Sequence, residues 1–369
     1  MTAATNARLS TIALLVTLAG CGSPAQLPVS AGMGPNPEIP KPETSLIPLV
    51  NVVDAKGWKN GGAPKSAPGT KVNAFASGLD HPRWLYVLPN GDVLVAETNA
   101  PDRPDDSKGI KGFFFKYFQK KAGGAVPSAN RITLLRDSDG DGVADIRSIL
   151  ISGLYSPFGM TYVNGFLYVA NSNAVMRYAF TPGQIKITSS GAKLSDLPAG
   201  TINHHWTKSL IASRDGSKLY AGVGSNSNAG ENGIDKEANR NAIWEIDRVS
   251  GAHRIFASGL RNPVGLAWEP VTGKLWVSVN ERDELGSDLV PDYMTSVRDG
   301  GFYGFPFSYF GGHVDKRVKP QRPDLVARAI VPDYALGPHT ASLGLTYAAQ
   351  TSLPAPYSNG MFVGQHGSW

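Results

Sequence analysis

A six-residue block recurs three times and constrains the fold more than any other feature of the chain. Its copies begin with Ser-Gly-Leu and end with Pro, at residues 77–82, 152–157 and 258–263. Two apolar stretches joined by a turn follow each copy: 84–88 with 92–96, 159–163 with 166–170, and 265–268 with 274–279. A weaker copy, with stretches at 210–213 and 218–223, fits between the second and third. A repeat of roughly 50 residues with about four strands predicts the blades of a β-propeller.

The turns and the overall composition agree with this architecture. Asn90-Gly91 and Asn164-Gly165 each separate two apolar stretches and are typical of type I′ hairpins, which need positive φ at both central residues. The 369 residues include 42 Gly and 27 Pro, an excess that suits many tight turns. A hydrophobic content of 41% excludes a disordered chain, and a single cysteine excludes a disulfide framework.

The basic charge is local. The net charge is +5, and five lysines without an acidic residue lie within 108–121, so we predict no nucleic-acid partner. The same stretch carries apolar residues at helical spacing, which are Ile110, Phe113, Phe114, Tyr117 and Phe118. It therefore predicts a short helical insertion, within 101–128, that packs onto the propeller or touches an anionic membrane or a redox partner.

The N-terminus resembles a lipoprotein leader. Arg8 is followed by an apolar stretch too short to span a membrane and by Leu-Ala-Gly-Cys at 18–21. We expect a signal peptide at 1–20 and a lipid on Cys21, with a plain secretory signal as the alternative. Residues 21–66 are expected to form a Pro- and Gly-rich tether, and 67–369 the propeller. This predicts a protein anchored at the periplasmic face of a bacterial membrane, with the outer membrane favoured.

Longer motifs resemble those of the glucose/sorbosone dehydrogenase family. They lie at 258–267, 280–286 and 299–306, and the run Gly-Gln-His-Gly-Ser-Trp at 364–369 is similar to one in the L-sorbosone dehydrogenase-like branch. The resemblance extends from about Phe75 to the end of the chain. It implies an all-β, six-bladed propeller that binds pyrroloquinoline quinone (PQQ) and Ca²⁺. Because a fifth unit begins near residue 336 and the sequence stops inside it, we expect the last blade or so to be missing.

The resemblance also implies roles for individual residues. His205, or its neighbour His204, matches the base that takes a proton from the sugar hydroxyl, a task suited to a histidine. Arg261 and Asn262 match a pair that binds the quinone. Further candidates for contacting the cofactor are Arg83, His339 and His366. Taken without the family, the His-His-Trp run is also typical of a core or rim cluster, and Arg261 of a solvated strand end.

The resemblance also implies a calcium site, and the sequence departs from the family pattern at two positions. The resemblance implies that backbone carbonyls of the loop containing Glu281 and Arg282 hold the ion, because calcium prefers hard oxygen ligands. Soluble glucose dehydrogenases carry a glutamine where this chain has Val264. They also have an aspartate that orients the histidine, where this chain has Ser225. We expect Glu231 or Asn226 to take over that orientation.

A second calcium site is indicated by an acidic loop. Asp137, Asp139, Asp141 and Asp145 have the spacing of the first nine positions of an EF-hand-like loop. Ser148 stands where such a loop has its bidentate glutamate. A polar hairpin between two strands is the alternative.

These observations favour oxidation of an aldose or sugar aldehyde with PQQ, and transfer of electrons to a membrane quinone or cytochrome. The alternative is a periplasmic propeller that binds carbohydrate or protein without turnover. A calcium-dependent lactonase-type propeller is disfavoured, because it leaves the Arg261-Asn262 pair unexplained.

Overall fold

The chain folds into antiparallel β-sheets joined by short loops. A computed structural model describes residues 22–45, 56–58, 61–106, 108, 112, 117, 120–121, 123–124, 126–348 and 352–367. The helical elements whose bounds lie within these residues are short: two 3₁₀ turns, Val29–Gly32 and Ile234–Glu237, and an α-helix, α1 (Pro323–Val326). No helix of the described segments is both long and apolar enough to cross a bilayer.

Four of the sheets have the form of propeller blades. After a two-residue strand, β1 (Met33–Gly34), the first blade contains β2 (Pro82–Val87), β3 (Val93–Glu97), β4 (Arg131–Arg136) and β5 (Ile146–Ile151). The second contains β6 (Met160–Val163), β7 (Phe166–Ala170), β8 (Ala174–Ala179) and β9 (Ala192–Asp196). The third contains β10 (Lys208–Ala212), β11 (Lys218–Val223), β12 (Ala242–Asp247) and β13 (His253–Ser258).

The fourth blade is interrupted and extended. It contains β14 (Pro263–Trp268), β15 (Leu275–Val279), β16 (Pro291–Ser296) and β19 (Tyr334–Pro338), and β1 pairs with the outer edge of β19. A small hairpin of β17 (Ser308–Tyr309) and β18 (His313–Val314) lies between β16 and β19 in the chain. A fifth unit pairs β20 (Ser342–Tyr347) with β21 (Met361–Gln365).

The blades stand around a common axis. The first strand of each unit contacts the first strand of the next, in the order β2, β6, β10, β14 and β20. Apolar clusters fill the spaces between neighbouring blades, because alternate residues of a strand face opposite sides of its sheet. Leu167 of β7 faces the first blade, for example, whereas Tyr168 faces the third. The predicted all-β propeller is therefore confirmed, while the count of six blades stays a prediction.

Neighbouring blades meet backbone to backbone where their inner strands start. The amide of Gly159 donates to the carbonyl oxygen of Lys208 at 2.9 Å. A Cβ at residue 159 would come within 2.8 Å of that oxygen and closer still to the amide nitrogen of Leu210. Gly265 has the same position in its repeat, and a Cβ there would come within 2.6 Å of the Leu343 carbonyl oxygen. Glycine alone permits this approach.

The two predicted hairpins differ. Asn164 and Gly165 both have positive φ, at 48° and 81°, so this turn has the type I′ conformation. At Asn90-Gly91 only Gly91 has positive φ, at 87°, and Leu88 exchanges hydrogen bonds with Gly91 and Asp92. The prediction of a type I′ turn at Asn90 is therefore wrong. The loop is wider because Asp92 turns inward, buried, to pair with Arg136.

Residues 23–43 of the expected tether contact the fourth blade and the loop that follows β15. Ser287 Oγ donates to Ser23 O at 2.7 Å, and the amide of Gln26 donates to Asp288 Oδ2 at 2.8 Å. Further along, β1 extends the sheet and the amide of Glu43 donates to Leu285 O at 2.9 Å. Backbone hydrogen bonds to a sheet edge hold this segment, which explains how it is placed with so few apolar residues. The leader, Cys21 and residues 46–55 lie outside the described residues.

Replacing Gly159 with alanine should lower the free energy of unfolding by about 1–3 kcal/mol, because the methyl group forces β6 and β10 apart. Gly344 is a matched control, since it lies on the inner strand β20 and a Cβ there meets nothing closer than 4.0 Å. Urea unfolding followed by tryptophan fluorescence measures both variants. An equal loss in Gly344→Ala would show that any side chain on an inner strand is costly, irrespective of the approach between blades.

Candidate functional site

A cavity of about 130 Å³ lies where the inner strands begin. Its lining includes four residues predicted for the site, which are Arg83, His204, His205 and Asn262. The other lining residues are Phe158, Trp206, Thr207, Val264 and Leu343. The structure therefore brings the predicted base, its neighbour and two candidate cofactor contacts to one place.

Backbone irregularities direct several of these side chains toward the axis. The register between the first two strands of a unit shifts around Arg83, Val264 and Leu343, which are bulged residues at the starts of β2, β14 and β20. A bulge re-aims its side chain away from the regular alternation of the strand. Arg83, Phe158 and Val264 each follow the proline that closes the repeated block. In each of the three clear copies, the residue after the proline thus lines the cavity. This position in the repeat is the sequence signal from which Phe158 and Val264 could have been identified as site residues.

Ser225 determines which nitrogen of His205 carries the proton. His205 Nδ1 lies 2.9 Å from the Ser225 carbonyl oxygen and 3.0 Å from its Oγ. The Ser225 hydroxyl donates to Ser227 O at 2.7 Å, so both Ser225 oxygens can only accept from the ring. Nδ1 therefore bears the hydrogen, and Nε2 keeps its lone pair. The expected substitutes are not used: Glu231 accepts from the amides of residues 228 and 229.

His205 is poised as a neutral imidazole. Burial, together with the positive charge of Arg261, holds the pKa of His205 well below its usual value. Its Nε2 has no hydrogen-bond partner among the residues that the structure describes, and His205 lines the cavity. A neutral ring with a free Nε2 is the form that accepts a proton.

His204 is held by a separate group of side chains. Its Nδ1 lies 2.7 Å from Asp106 Oδ1, and Arg103 Nη1 lies 2.9 Å from Asp106 Oδ2. Arg103 Nη1 also donates to the His204 carbonyl oxygen at 2.7 Å. Sequence reasoning assigned Arg103 and Asp106 to a surface insertion and missed their contact with the site, because the contact joins residues about a hundred positions apart.

Arg261 lies behind the cavity in a cage of oxygen atoms. Its guanidinium donates to Asn228 O and Oδ1 at 2.8 and 2.9 Å, to Asn280 O and Oδ1 at 3.1 and 3.2 Å, and to Glu281 O at 2.7 Å. The side chain is buried and does not line the cavity, so it is not a solvated strand end. It joins the loop after β11 to the loop after β15, whereas its neighbour Asn262 faces the cavity.

The remaining predicted contacts lie elsewhere. His366 is exposed at the end of β21. Arg282 is fully buried and pairs with Glu281 at 3.1 Å and Asp315 at 3.1 Å, and neither Glu281 nor Arg282 lines the cavity. His339 lies between Asp283 Oδ1, 3.2 Å from Nδ1, and a backbone carbonyl of the same loop.

The acidic loop is partly assembled. One carboxylate oxygen each of Asp137, Asp139 and Asp145 lies within 4.8 Å of the others, and Asp141 is not part of the group. Asp137 accepts from the amides of Gly140 and Gly142, and Asp145 accepts from Ser138. The backbone of the loop therefore already binds these oxygens, as the hairpin alternative predicts, and the calcium site there stays a prediction.

The insertion is described only at isolated positions. Gly112, Tyr117, Lys120 and Lys121 have helical backbone, and Tyr117 is 59% exposed. The other members of the predicted apolar stripe, Ile110, Phe113, Phe114 and Phe118, lie outside the described residues.

The cavity residues fit a flat anionic group such as PQQ. Trp206 and Phe158 form aromatic walls, edge to face at 6.1 Å, and the Arg83 guanidinium lies 5.6 Å from the Trp206 ring centroid. Asn262 also lines the cavity, and its Nδ2 amide can donate to an oxygen of such a group. These residues fit calcium less well, because the Glu281 carbonyl oxygen that is expected to bind the ion accepts a hydrogen bond from Arg261.

Comparison with a family model identifies the chain. Residues 64–295 match the model described as TrAA12-like, so the chain belongs to the TrAA12-like family. The resemblance to the glucose/sorbosone dehydrogenase-like family is thereby confirmed. A curated relative, an uncharacterized protein of Borreliella burgdorferi, is 26% identical over an alignment of 227 residues, and the match covers 58% of this chain. The match spans only 58% of that relative's length.

Solved structures share the fold. The holo form of the pyranose dehydrogenase PQQ domain from Coprinopsis cinerea is 17% identical, with 80% of this chain and 73% of that one covered and a TM-score of 0.60. A calcium structure of the family AA12 carbohydrate-active enzyme from Trichoderma reesei is also 17% identical, with 77% and 75% covered and a TM-score of 0.60. At this identity the likeness shows the propeller fold alone.

The contact between His339 and Asp283 should make stability depend on pH. Burial opposes the imidazolium, but the Asp283 carboxylate and the Gly286 carbonyl outweigh it and raise the pKa of His339 above 6.5. The proton is therefore bound more tightly in the folded state. Its contribution, about 0.5–1 kcal/mol for a pair at the surface, is complete below pH 6.5 and is lost as pH rises through the raised pKa.

The free-energy difference between wild type and His339→Gln should thus be larger at pH 6 than at pH 9. Chemical unfolding at both pH values measures it. His366→Gln is the control, since His366 is exposed in the same fifth unit. A loss in His339→Gln that does not change between the two pH values would contradict the assignment of a protonated ring.

Proposed function

We propose that this TrAA12-like protein oxidises an aldose or sugar aldehyde with PQQ and Ca²⁺, and that His205 is its base. The observation that carries the proposal is the state of His205. Its Nδ1 is committed to Ser225, its Nε2 is free at a cavity, and its pKa is depressed. A buried neutral imidazole with a free Nε2 at a cavity is the arrangement that a general base requires.

The chain's own residues divide the work. His205 Nε2 accepts the proton of the sugar hydroxyl, and the Ser225 carbonyl stabilises the imidazolium that forms, because it accepts from Nδ1. Trp206 and Phe158 exclude water from the walls of the cavity. Lys208, fully buried, donates to the Trp206 carbonyl oxygen at 3.1 Å and fixes the backbone that carries both histidines.

Arg83 and Asn262 are the residues that would hold PQQ, through its carboxylates and a quinone oxygen. PQQ bound there would supply a two-electron hydride acceptor, and Ca²⁺ would supply Lewis acidity. The pyranose dehydrogenase PQQ domain and the AA12 calcium structure, which share this fold, support the two groups as cofactors.

One observation favours the second candidate function, a propeller that binds carbohydrate without turnover. The guanidinium of Arg261 already engages the Glu281 carbonyl, which the resemblance assigns to calcium. A cavity with aromatic walls and hydrogen-bonding side chains also suits a sugar ring on its own.

We further infer that the protein works at the periplasmic face of a bacterial membrane, held by a lipid on Cys21. The leader and Leu-Ala-Gly-Cys at 18–21 support this. A membrane quinone or cytochrome would then receive the electrons. We also propose that the propeller has six blades, as the family resemblance implies.

Substitution of His205 by glutamine should lower kcat by at least about a hundredfold, because the base is lost while the size and polarity of the side chain are nearly kept. The purified protein is incubated with PQQ and Ca²⁺, and dye reduction is followed with a panel of aldoses. The absorbance change of bound PQQ should persist in the variant. His313→Gln, exposed on β18, is the control.

Two outcomes would decide against this assignment in different ways. Undiminished turnover by His205→Gln would move the role of base to His204. The absence of both a PQQ absorbance change and dye reduction in the wild type would leave the non-catalytic propeller as the function.

The pH dependence of kcat/KM provides a separate test. A histidine with the ordinary pKa near 6.5 is only about a quarter unprotonated at pH 6. Because burial and Arg261 depress the pKa of His205, the base stays neutral there, and kcat/KM should be nearly the same at pH 6 and pH 7. A decline with its midpoint at or above pH 6.5 would be incompatible with His205 as the titrating group.

A further inference from the structure

Residues 103–106, at the start of the insertion, contact a histidine that lines the cavity. This segment follows β3 of the first blade, yet Asp106 contacts His204, which precedes β10 of the third blade. The Asp106 side chain is only 5% exposed, and that of His204 is 25% exposed. Burial of a carboxylate is costly unless partners compensate for it. Here His204 and Arg103 lie within 2.9 Å of its two oxygens.

Asp106 determines the proton arrangement of His204 as Ser225 does for His205. A carboxylate accepts hydrogen bonds, so His204 Nδ1 carries the hydrogen, and in the neutral ring Nε2 is the acceptor. Arg103 holds the carboxylate on one side and the His204 carbonyl oxygen on the other. The ring is thus fixed through its side chain and its backbone together.

The two imidazoles then offer the same group to the cavity. Both line it, their ring centroids are 4.8 Å apart, and the rings meet edge to face at 89°. In each ring Nδ1 is engaged by the protein, and Nε2 has no hydrogen-bond partner within the described part of the chain. Two neighbouring acceptors match a ligand that presents two neighbouring hydroxyl donors.

We propose that Asp106 is a positioning residue that keeps His204 Nε2 as a hydrogen-bond acceptor, so that the site selects sugars with a hydroxyl next to the oxidised carbon. The proposal rests on the proposed function, in which His205 takes the proton of the reacting hydroxyl. His204 accepts a hydrogen bond from the adjacent hydroxyl and takes no proton. Arg103 supports Asp106 in this task.

Asp105 provides a matched control for a purely structural role. It belongs to the same segment and carries the same charge, but it pairs with Lys108 at 2.6 Å on the surface, and its amide donates to Thr201 O at 3.0 Å. If the segment only needed an anchor, loss of either carboxylate would affect the two variants alike.

The test compares Asp106→Asn and Asp105→Asn with glucose and 2-deoxyglucose as probes. An amide at residue 106 can turn its NH₂ group toward the ring, so His204 is no longer held in one tautomer. We expect the ratio of kcat/KM for glucose to that for 2-deoxyglucose to fall about three- to tenfold in Asp106→Asn, the value of one hydrogen bond. The ratio should not change in Asp105→Asn, which should also oxidise 2-deoxyglucose at nearly the wild-type rate.

Two measurements without turnover complete the design. Nitrogen-15 NMR of the histidine rings, assigned with His204→Gln, should show His204 protonated at Nδ1 in the wild type and a mixture of tautomers in Asp106→Asn. Equilibrium binding of the two sugars should show the same change in ratio as the kinetics, and thermal unfolding verifies that Asp106→Asn is folded.

The outcomes separate the two proposals. An equal loss for both sugars in a folded Asp106→Asn variant, or a wild-type ratio near one, would overturn the role of Asp106 and leave sugar oxidation intact. Sugar binding with the expected ratio, but without dye reduction in the presence of PQQ and Ca²⁺, would remove the dehydrogenase and retain the selection of neighbouring hydroxyls. A His204 ring that is not protonated at Nδ1 in the wild type would also contradict the proposal.

Discussion

The approach of one backbone to another at the start of each inner strand is the constraint on which the site depends. The hydrogen bond from Gly159 to Lys208 sets β6 against β10 at the level where the cavity forms. Lys208 in turn holds the carbonyl of Trp206, next to the two histidines. Lys208 therefore makes both contacts. Its backbone carbonyl joins two blades, and its side chain fixes the backbone next to the two histidines.

The repeated block serves packing and chemistry with the same positions. The second residue after its proline is glycine in the second and third copies, Gly159 and Gly265, but Trp84 in the first. Trp84 instead packs against Phe158, which lines the cavity, with ring centroids 4.8 Å apart. The residue directly after the proline is Arg83, Phe158 or Val264. The repeated block thus keeps a similar backbone in each blade, while its side chains at the axis differ. There Arg83 and several apolar side chains surround the two histidines.

Local sequence patterns were sufficient to predict the blades, and less so the site. Hydrophobic alternation predicted the strands of the repeated hairpins to within two or three residues. The family resemblance, and not the repeat, implied roles for His205, Asn262 and Arg83, which line one cavity. The conformation at Asn90 could not be predicted, because the ion pair between Asp92 and Arg136 decides it. The partner of His205 was missed because it is a backbone carbonyl, which any residue at position 225 supplies. Asp106 was missed because only the folded chain brings it to His204.

The pairing of the N-terminal segment with the fourth blade bears on how far the propeller can travel from an anchor. If residues 21–66 were a flexible linker, the propeller could move far from a lipid anchor at Cys21. The Ser23 carbonyl oxygen instead accepts a hydrogen bond from Ser287. A lipid on Cys21 would therefore be separated from this contact by two residues, which span at most about 7 Å. The edge of the fourth blade would then rest against the headgroups. The proposed membrane acceptor would meet a protein of nearly fixed tilt, and electron transfer would depend on that orientation rather than on diffusion of a tethered domain.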